Sequence, residues 1–521
     1  MEASRYPAME KAKKIVTTIL KNHRTETAVL LAILLLAAFL RLYKIREFVV
    51  FLGDEGRDAL VVKRMIVDHK FTLLGPTASV GGFYLGPIYY YFMIPFLGLS
   101  NFDPVGPAVM VALFGIATVG LLYWAVREWI GPSFAAIAAL LYATAPGVVA
   151  ASRSSWNPNI MPFFALLSVF GIAHAIEKKK PIWFVIAGIA YGIAIQSHYL
   201  GLILGPILAV TTLVSIKAKF WLKAAALQIL GFLIGGSMFF AFEVRHNFPN
   251  IKTIIEFIGR GGNTTGPRSW NLISLFLDML KRTYESVLSP TDDFARILMY
   301  TSAIGFIALL VIKKRSGKPL SVGIKTILVW LIVGELGIGA YKGQLYPHYF
   351  GFLFPLPFIL IGTTLGLIIK KRMTKILGIG VSFALVALNL TNQDFWRQGS
   401  NLIDQTKNIA VKIIEVSEQK PFNFALIADG NSDHAYRYFL ESMGHRPNTL
   451  EEEVTEQLIV VCEHPDKPCE PRGHPLWEIA GFGRAEIAAR ATVYPGIRIL
   501  KLTHHADSQN LIGKPVPKGK G

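Results

Sequence analysis

The sequence predicts a polytopic α-helical membrane protein with a small α/β domain near its C-terminal end. Three observations predict this fold class. Of the 521 residues, 52% are hydrophobic and only 17% are charged, whereas soluble proteins contain about a quarter charged residues. Apolar runs long enough to cross a bilayer recur along the chain, and the mean hydropathy is +0.43. After Asn392 the composition becomes polar, which indicates a separate domain outside the membrane.

Each predicted span is an apolar segment of about 20 residues, which at 1.5 Å per residue crosses a hydrocarbon core of about 30 Å. The chain contains eleven such segments, and they cover most of its first 392 residues. The predicted spans are about 26–43, 104–126, 132–150, 160–176, 182–199, 201–216, 222–243, 294–312, 320–341, 348–369 and 374–392.

The basic residues orient these spans. The net charge is +18, but most Lys and Arg clusters flank apolar segments, where the positive-inside rule places them, so a nucleic-acid partner is rejected. The basic residues 1–25 predict a cytoplasmic N-terminus, and the alternation of spans then puts the C-terminal domain outside the cell or inner membrane. The first apolar run is too long for a signal peptide and lacks a small-residue cleavage site before Arg41, so an uncleaved first helix is expected.

One apolar segment is not counted as a span. Residues 81–100 contain Pro87 and Pro95, and counting them as a span would invert every later loop. We therefore expect interfacial helices on the outer face, with Tyr89, Tyr90 and Tyr91 in an aromatic belt. The resulting boundaries are a basic N-terminus 1–25, a membrane domain 26–395 with a first outer loop 44–103, an outer α/β domain 396–505 and a disordered tail 506–521.

The outer domain is predicted from three apolar strands and one helix. The strands are 422–428, 457–463 and 496–502, and the helix runs from Ser432 to about Met443. The only two cysteines, Cys462 and Cys469, leave two alternatives open. They form a disulfide, as the oxidising compartment favours, or they bind zinc with His464 and His474, although that spacing matches no common zinc pattern.

The stretch "FLGDEGRDALVVKRM", Phe51 to Met65, follows the first span and carries three acids. Asp54, Glu55 and Asp58 fit the first turns of a capped amphipathic helix, because acids there favour the helix dipole. That interpretation gives no reason for an acidic pair at the outer edge of the membrane, where carboxylates are costly and tend to be functional. A partly desolvated Asp with a raised pKa is suited to act as a general base for a hydroxyl group.

More polar side chains are predicted on the same outer face. Each of these side chains, taken alone, is typical of a residue that anchors a helix at the membrane interface. Taken together, the cations are suited to bind an anionic leaving group, and the acids to take a proton from a nucleophile. These residues are Arg153, Asn157, Asn159, His198, Glu243, Arg245, His246, Lys342, Tyr346, His348 and Tyr349.

Three segments form a recognisable pattern. An Asp-Glu pair follows the first membrane helix, in a long outer loop that ends in the aromatic segment "GPIYYYFMIPF". The pattern continues in "GPSFAAIAALLYATAPGVVAASRSSWNPNIMPFF" (131–164) and in "YPHYFGFLFPLPFIL" (346–360). In these features the sequence resembles the GT-C glycosyltransferases, in the group that contains protein O-mannosyltransferases and bacterial lipid A aminoarabinose transferases. The similarity covers roughly residues 40–395 as a pattern.

The resemblance implies a GT-C fold with about 11 transmembrane helices. It also implies transfer of one sugar from a polyprenyl-phosphate donor, on an undecaprenyl or dolichyl carrier, to a hydroxyl group of a protein, lipid or glycan, with inversion. Asp54 corresponds to the catalytic base, and Glu55 to a partner that orients it or holds hydroxyl groups. The expected phosphate ligands are Arg245, Lys342, His348 and Arg153; the expected substrate contacts are Asn157, Asn159, His198, Glu243, His246, Tyr346 and Tyr349.

The second outer loop departs from the family pattern. Related enzymes often carry an acid after the proline, whereas this chain has Asn157-Pro158-Asn159, and asparagine is a poor ligand for a hard cation. The departure predicts metal-independent catalysis with no cofactor. It also argues against an oligosaccharyltransferase, as does the absence of a WWD motif.

Two other functions compete with this one. A transporter or flippase for lipid-linked sugars is expected to have inverted repeats or broken helices at the midplane, and the sequence indicates neither. An O-antigen ligase or polymerase usually places its functional Arg and His in a large late loop rather than an Asp-Glu pair after the first helix.

Overall fold

The computed structural model describes residues 24–259, 271–288, 292–317, 319–464 and 469–518. The predicted cytoplasmic segment 1–25 lies almost wholly outside the described residues. The chain divides into two compact units. The first, called the membrane unit, comprises 1–45, 72–92 and 108–398. The second, called the outer unit after the predicted location of its C-terminal domain, comprises 46–71, 93–107 and 399–521.

Helices dominate the chain as far as residue 398. In chain order they are α1 (Arg24–Leu42), α2 (Ile45–Phe48), α3 (Gly53–Val67), α4 (Ile88–Leu99), α5 (Val105–Trp129), α6 (Pro132–Thr144), α7 (Pro146–Ala151), α8 (Met161–Glu177), α9 (Ile182–Ser197), α10 (Leu204–Ser215), α11 (Trp221–Gly235), α12 (Ser237–Arg245), α13 (Pro249–Gly259), α14 (Leu272–Val287), α15 (Asp292–Arg315), α16 (Val322–Gly339), α17 (Pro355–Lys370) and α18 (Lys375–Thr391).

The predicted polytopic character is confirmed. Among the described residues, seven helices have the length and hydropathy of a membrane span, and an eighth is gained if Pro347–Leu353 and Pro355–Lys370, which meet at 57°, form one bent span. The remaining predicted spans coincide with shorter apolar helices, namely α6, α9 and α10. All eleven predicted segments therefore contain apolar helix, while the orientation of the termini stays a prediction.

Three predicted spans are broken. The segment 348–369 divides at Phe354, where its two helical pieces meet at 57°. The other two divide as follows. The segment 132–150 divides at Ala145, because Pro146 lacks an N–H group and instead begins the next helix at its first position. The segment 222–243 divides at Gly236, between α11 and α12. These interruptions shorten the spans without changing their order.

The prediction for residues 81–100 is wrong in two respects. Only Ile88–Leu99 is helical, whereas residues 75–85 form a hairpin-like turn with a bridge between Thr77 and Tyr84. Tyr89 and Tyr90 are 0% and 3% exposed, so they are buried in protein rather than placed in an aromatic belt. The Tyr89 hydroxyl lies 2.8 Å from that of Ser155, which gives this buried polar group a partner.

The outer unit contains a four-stranded sheet with helices beside it. Its elements after residue 398 are α19 (Leu402–Val416), β1 (Asn423–Ala428), α20 (His434–Ser442), β2 (Gln457–Glu463), α21 (Trp477–Ala480), β3 (Ala485–Tyr494) and β4 (Ile497–His504). The strand order is β1-β2-β4-β3. Strands β1 and β2 are parallel, and both other pairs are antiparallel. The predicted α/β domain is therefore present, with β3 as an additional strand.

The C-terminal residues depart from the predicted disordered tail. Ala506–Leu511 form a 3-10 helix, and Val516 donates a backbone hydrogen bond to Leu450. Val454 exchanges backbone bonds with Gly513 and Lys514, so residues 506–516 pack onto the domain. Cys462 and Cys469 form a disulfide, which takes up both thiols that the zinc alternative required.

Segments of the first outer loop belong to the outer unit. The Arg46 guanidinium bonds Asp103 at 2.5 Å and Asp404 at 2.6 Å, and thereby joins three distant parts of the chain. The Asn401 backbone N–H donates to the Glu47 carbonyl, and the Tyr438 hydroxyl donates to the carbonyl of Phe102. The sheet domain and the loop with the acidic pair therefore form one compact body, whereas the sequence predicted two separate domains.

Candidate active site

The acidic pair lies in the first turn of α3, which we call the acid helix. Leu52 precedes it in an extended conformation and has no polar side chain to cap the helix. Other groups take that role: Glu55 Oε2 accepts from the Leu52 N–H at 3.1 Å, and Asn431 Oδ1 accepts from the Gly53 N–H at 3.0 Å. Asp54 is therefore not the helix cap that the local pattern allowed.

Asp54 and its neighbouring acids occupy different environments. The Asp54 side chain is 50% exposed, and its Oδ1 accepts from Arg57 Nη1 at 2.7 Å. Glu55 is 7% exposed and Asp58 is fully buried. Arg57 also bonds Asp58 Oδ1 through Nε and Nη2, at 2.9 and 2.8 Å. Of the three acids, Asp54 is the one that solvent and a substrate can reach.

Burial raises the pKa of Glu55 to about 7, although its backbone hydrogen bonds act in the opposite direction. The pKa of Glu55 is therefore higher in the folded than in the unfolded protein, and between about pH 4.5 and 7 the folded protein binds more protons at this group. The contribution of protonated Glu55 to the stability of the fold is consequently lost as the pH rises through this window. We expect the free energy of unfolding to fall by up to about 3 kcal/mol from this group. Thermal unfolding of the native chain and of Glu55→Gln, followed from pH 4.5 to 8, measures the effect. If the free energy of unfolding depended on pH equally in the two proteins, this expectation would be contradicted.

Two glycines fit the acid helix against the turn that follows β1. A Cβ atom added to Gly53 would lie 2.0 Å from Ser432 Oγ, and one added to Gly56 would lie 2.3 Å from the Ala435 backbone nitrogen. The two positions lie three residues apart, on one face of the helix. Glycine at both is what permits this close approach of two backbones.

The membrane unit gathers several predicted substrate residues into a second cluster. The ring of His348 lies 4.4 Å from that of Trp156, 5.5 Å from His198 and 4.7 Å from Tyr349, centroid to centroid. Tyr346 stacks on His348 at 5.9 Å and is 43% exposed. We call this set, with Tyr199 and Tyr341, whose hydroxyls are 3.1 Å apart, the aromatic cluster.

Other predicted residues are already engaged with the backbone. Arg153 donates to the carbonyls of Leu40 and Tyr43 at 2.9 and 2.8 Å and is 5% exposed. Asn157 donates to the Ser197 carbonyl at 2.7 Å, and Asn159 to that of Ser154 at 3.0 Å. Such bonds hold loops in place, so the geometry favours a structural role for these three side chains.

Glu243 has a defined structural partner. Its Oε1 accepts from Asn250 Nδ2 at 2.7 Å, and its Oε2 accepts from the Ile251 N–H at 3.0 Å. Because Asn250 and Ile251 open α13, this fully buried carboxylate caps that helix. The interpretation of Glu243 as a substrate ligand therefore loses its support.

Arg245, His246 and Lys342 are exposed on the membrane unit. His246 Nδ1 lies 2.9 Å from the Phe242 carbonyl, and its ring stacks on Phe242. Arg245 ends α12, and Lys342 lies in the loop after α16. At these positions both long cationic side chains reach the surface of the unit.

The structure thus brings His198, Tyr346, His348 and Tyr349 together. Of the four predicted phosphate ligands, Arg153 bonds backbone carbonyls instead. The sequence reasoning missed Trp156, Tyr199 and Tyr341 of the aromatic cluster, although Trp156 adjoins the Asn-Pro-Asn motif. It also missed Asn431, for which the turn sequence after β1 was the only signal. Within the described residues, no group of three or more His, Cys, Asp or Glu side chains is arranged to hold a metal.

Comparison with known sequences finds two partial matches. Residues 85–241 match the family model described as dolichyl-phosphate-mannose-protein mannosyltransferase. The Bacillus subtilis (strain 168) protein named "Putative mannosyltransferase YkcB" is 30% identical over 186 residues. That match covers 34% of this chain and 25% of the Bacillus protein, so the chain matches a quarter of the length of this curated relative.

Comparison with solved structures extends over most of the chain. ArnT from Cupriavidus metallidurans, solved bound to undecaprenyl phosphate, superposes with a TM-score of 0.58 and 15% identity, covering 96% of this chain and 100% of ArnT. The archaeal oligosaccharyltransferase AglB from Archaeoglobus fulgidus, solved with an inhibitory peptide and a dolichol-phosphate, gives a TM-score of 0.55 and 14% identity over 85% of this chain and 70% of AglB. At these identities the similarity concerns the fold.

Proposed function

We propose that this chain, which has the GT-C fold, is a membrane glycosyltransferase that moves a single sugar from a polyprenyl-phosphate carrier to a hydroxyl group of an extracytoplasmic acceptor. The match of residues 85–241 to a mannosyltransferase model and the fold shared with ArnT support this reaction class. The assignment of roles rests on the exposed carboxylate of Asp54. Asp54 is not needed as a helix cap, because Glu55 and Asn431 accept the hydrogen bonds of the Leu52 and Gly53 N–H groups.

Asp54 acts as the general base in this proposal. Its carboxylate takes the proton of the acceptor hydroxyl as the oxygen attacks the anomeric carbon from the face opposite the phosphate. The bond between that carbon and the phosphate oxygen breaks, the polyprenyl phosphate leaves with the bonding electrons, and the configuration inverts. Arg57, which bonds Asp54 Oδ1, orients the carboxylate and leaves Oδ2 for the acceptor.

Glu55 has a supporting part. Its carboxylate holds the Leu52 N–H and is buried, so it fixes the first turn of the acid helix. This replaces the two roles that the resemblance implied, orienting Asp54 directly or holding sugar hydroxyls. A fixed first turn keeps Asp54 in a reactive geometry, which is worth a large factor in rate.

The membrane unit supplies the donor contacts. Arg245 and Lys342 receive the lipid phosphate, because charge-assisted hydrogen bonds to phosphate stabilise the departing negative charge. His348 and Tyr346 of the aromatic cluster pack against the sugar ring and bond its hydroxyl groups. The positive-inside rule supports a cytoplasmic N-terminus and an extracytoplasmic C-terminal domain, on the side where acceptor proteins, lipids or glycans meet the enzyme.

A transfer assay tests the function. Purified protein in lipid is supplied with radiolabelled polyprenyl-phosphate mannose, glucose or an arabinose-type sugar, together with membrane extract as acceptor. Label must move to an acceptor fraction with one of these donors and must depend on the protein. Movement of the intact donor across the bilayer without labelled acceptor would instead favour the transporter interpretation.

The proposed phosphate ligand Arg245 gives a kinetic prediction. Arg245→Ala removes one charge-assisted bond to the donor phosphate, so the donor KM is expected to rise about tenfold to a hundredfold, and kcat is expected to fall as well because the same bond stabilises the departing phosphate. Initial rates at varied donor concentration measure this. Arg282→Ala is the matched control, because Arg282 is an exposed arginine that pairs with Asp278 on its own helix. An unchanged donor KM in Arg245→Ala removes this residue from the phosphate site.

Catalysis without a metal ion is the second kinetic prediction. Asn159 follows Pro158, where related enzymes often carry an acid, and the amide groups of Asn157 and Asn159 both donate to backbone carbonyls. We expect the transfer rate to stay within about twofold after treatment with EDTA. Loss of activity that Mg²⁺ or Mn²⁺ restores would show that the prediction is wrong.

A further inference from the structure

The carboxyl end of the parallel strand pair β1–β2 carries two polar residues. Asn431 lies three residues beyond the last residue of β1, and Glu463 is the last residue of β2. In open α/β sheets this edge is the usual place for a bound ligand, because the loops leaving parallel strands open a crevice there. Here the edge meets the start of the acid helix, since Asn431 accepts from the Gly53 N–H.

Asn431 is held in one orientation by its partners. Its Oδ1 accepts from Gly53 and from the Ser432 N–H, at 3.0 and 2.8 Å, and its Nδ2 donates to Glu463 Oε2 at 2.9 Å. The second oxygen of Glu463 accepts from the Tyr436 hydroxyl. Because Nδ2 faces a carboxylate, the amide cannot turn over without losing bonds on both sides.

The acid helix is also fixed further along its length. Glu441 of α20 bonds Arg64 Nη2 at 2.6 Å and Lys63 Nζ at 3.3 Å. Arg64 lies eleven residues after Gly53, which corresponds to about 16 Å of helix, so the two attachments define the direction of the axis. At the first turn, the attachment consists of the Asn431 bond and the close glycine contacts.

We propose that Asn431, fixed by Glu463 and Tyr436, is a positioning residue that sets the first turn of the acid helix and thereby aims Asp54. The inference deepens the proposed function and rests on it for its effect on the rate. A cavity of about 230 Å³, lined among others by Leu52, Asn431, Tyr436 and Glu463, adjoins this bond. The start of the helix has room to shift into it when the bond is lost.

The first experiment combines hydrogen–deuterium exchange with kinetics on the full-length protein in lipid. In Asn431→Ala the amides of the first turn, residues 53–55, are expected to exchange at least tenfold faster, while those near Arg64 stay within twofold. The kcat for transfer is expected to fall at least tenfold with the donor KM within twofold. Asn408→Ala is the matched control, because Asn408 is an exposed asparagine of the same unit that bonds Tyr494. Unchanged exchange and unchanged kcat in Asn431→Ala would overturn the inference.

A reversed hydrogen bond supplies the second test. Asn431→Asp keeps the acceptor for Gly53 but places two carboxylates together, so kcat is expected to fall. Adding Glu463→Gln lets the new amide donate to the carboxylate introduced at position 431 while still accepting from Tyr436. The double variant is expected to recover kcat to within threefold of the native chain. Recovery no better than that of Asn431→Asp alone would overturn the inference.

The two readouts separate this inference from the proposed function. If the native chain transfers no sugar from any donor, the proposed function fails, and the exchange measurement alone decides whether Asn431 holds the first turn. If transfer is present and Asn431→Ala lowers kcat without altering exchange at residues 53–55, the positioning role is overturned while the transferase stands.

Discussion

Asp54→Asn is expected to lower kcat for sugar transfer by about 10²- to 10⁴-fold, because the amide cannot accept the proton of the acceptor hydroxyl. The side chain is half-exposed and contributes no cap, so the variant should keep its thermal unfolding midpoint and its affinity for polyprenyl phosphate. Transfer from a radiolabelled polyprenyl-phosphate sugar measures the rate, and binding of the unlabelled carrier measures the affinity.

Asp68→Asn is the control for this experiment. Asp68 follows the last residue of the same helix, and its side chain is 41% exposed. We expect transfer by Asp68→Asn to stay near the native rate. Full activity in Asp54→Asn would end the assignment of this residue as the base.

Gly56→Ala is expected to have the second largest effect. The new methyl group would lie 2.3 Å from the Ala435 backbone nitrogen. Because the contact is with backbone, a flexible side chain cannot relieve it, and the acid helix must move as a whole. Overpacking of this kind costs about 1–3 kcal/mol in the free energy of unfolding. A displacement of about 1 Å at Asp54 would lower kcat about a hundredfold.

The matched control for Gly56→Ala is Gly98→Ala. Gly98 also lies in a helix of the outer unit, and its nearest neighbour would be 4.0 Å from an added Cβ, so alanine has room there. Alanine should stabilise that helix by about 0.5–1 kcal/mol and leave kcat unchanged. Equal activity of the two variants would contradict the close docking of the acid helix.

Hydropathy and charge made the membrane spans predictable. Runs such as 105–129 are long and apolar, and such a pattern leaves few alternatives to a spanning helix. The start of the acid helix was also predictable, because glycine followed by acids favours a helix N-terminus. The residue that accepts the Gly53 N–H was not predictable, because no local sequence pattern links Gly53 to Asn431.

Burial was predicted less well than helix formation. Tyr89 and Tyr90 were assigned to an interface because counting residues 81–100 as a span would invert every later loop, but their burial depends on neighbours distant in the sequence. Strand β3 was missed because "AEIAARATVY" is rich in alanine and charged residues, which have low strand propensity. It pairs with β4 alone and lies at the edge of the sheet, where such a composition is tolerated.

The bond between Gly53 and Asn431 joins positions 378 residues apart, and this separation has a consequence for biosynthesis. A ribosome that adds about 5–20 residues per second needs roughly 20–75 s to pass from one position to the other. The helix bearing Asp54 therefore leaves the ribosome long before the turn that holds it. By the proposed mechanism, a nascent or truncated chain without the last hundred residues would insert into the membrane yet lack a positioned base, so transfer would begin only on the finished polypeptide.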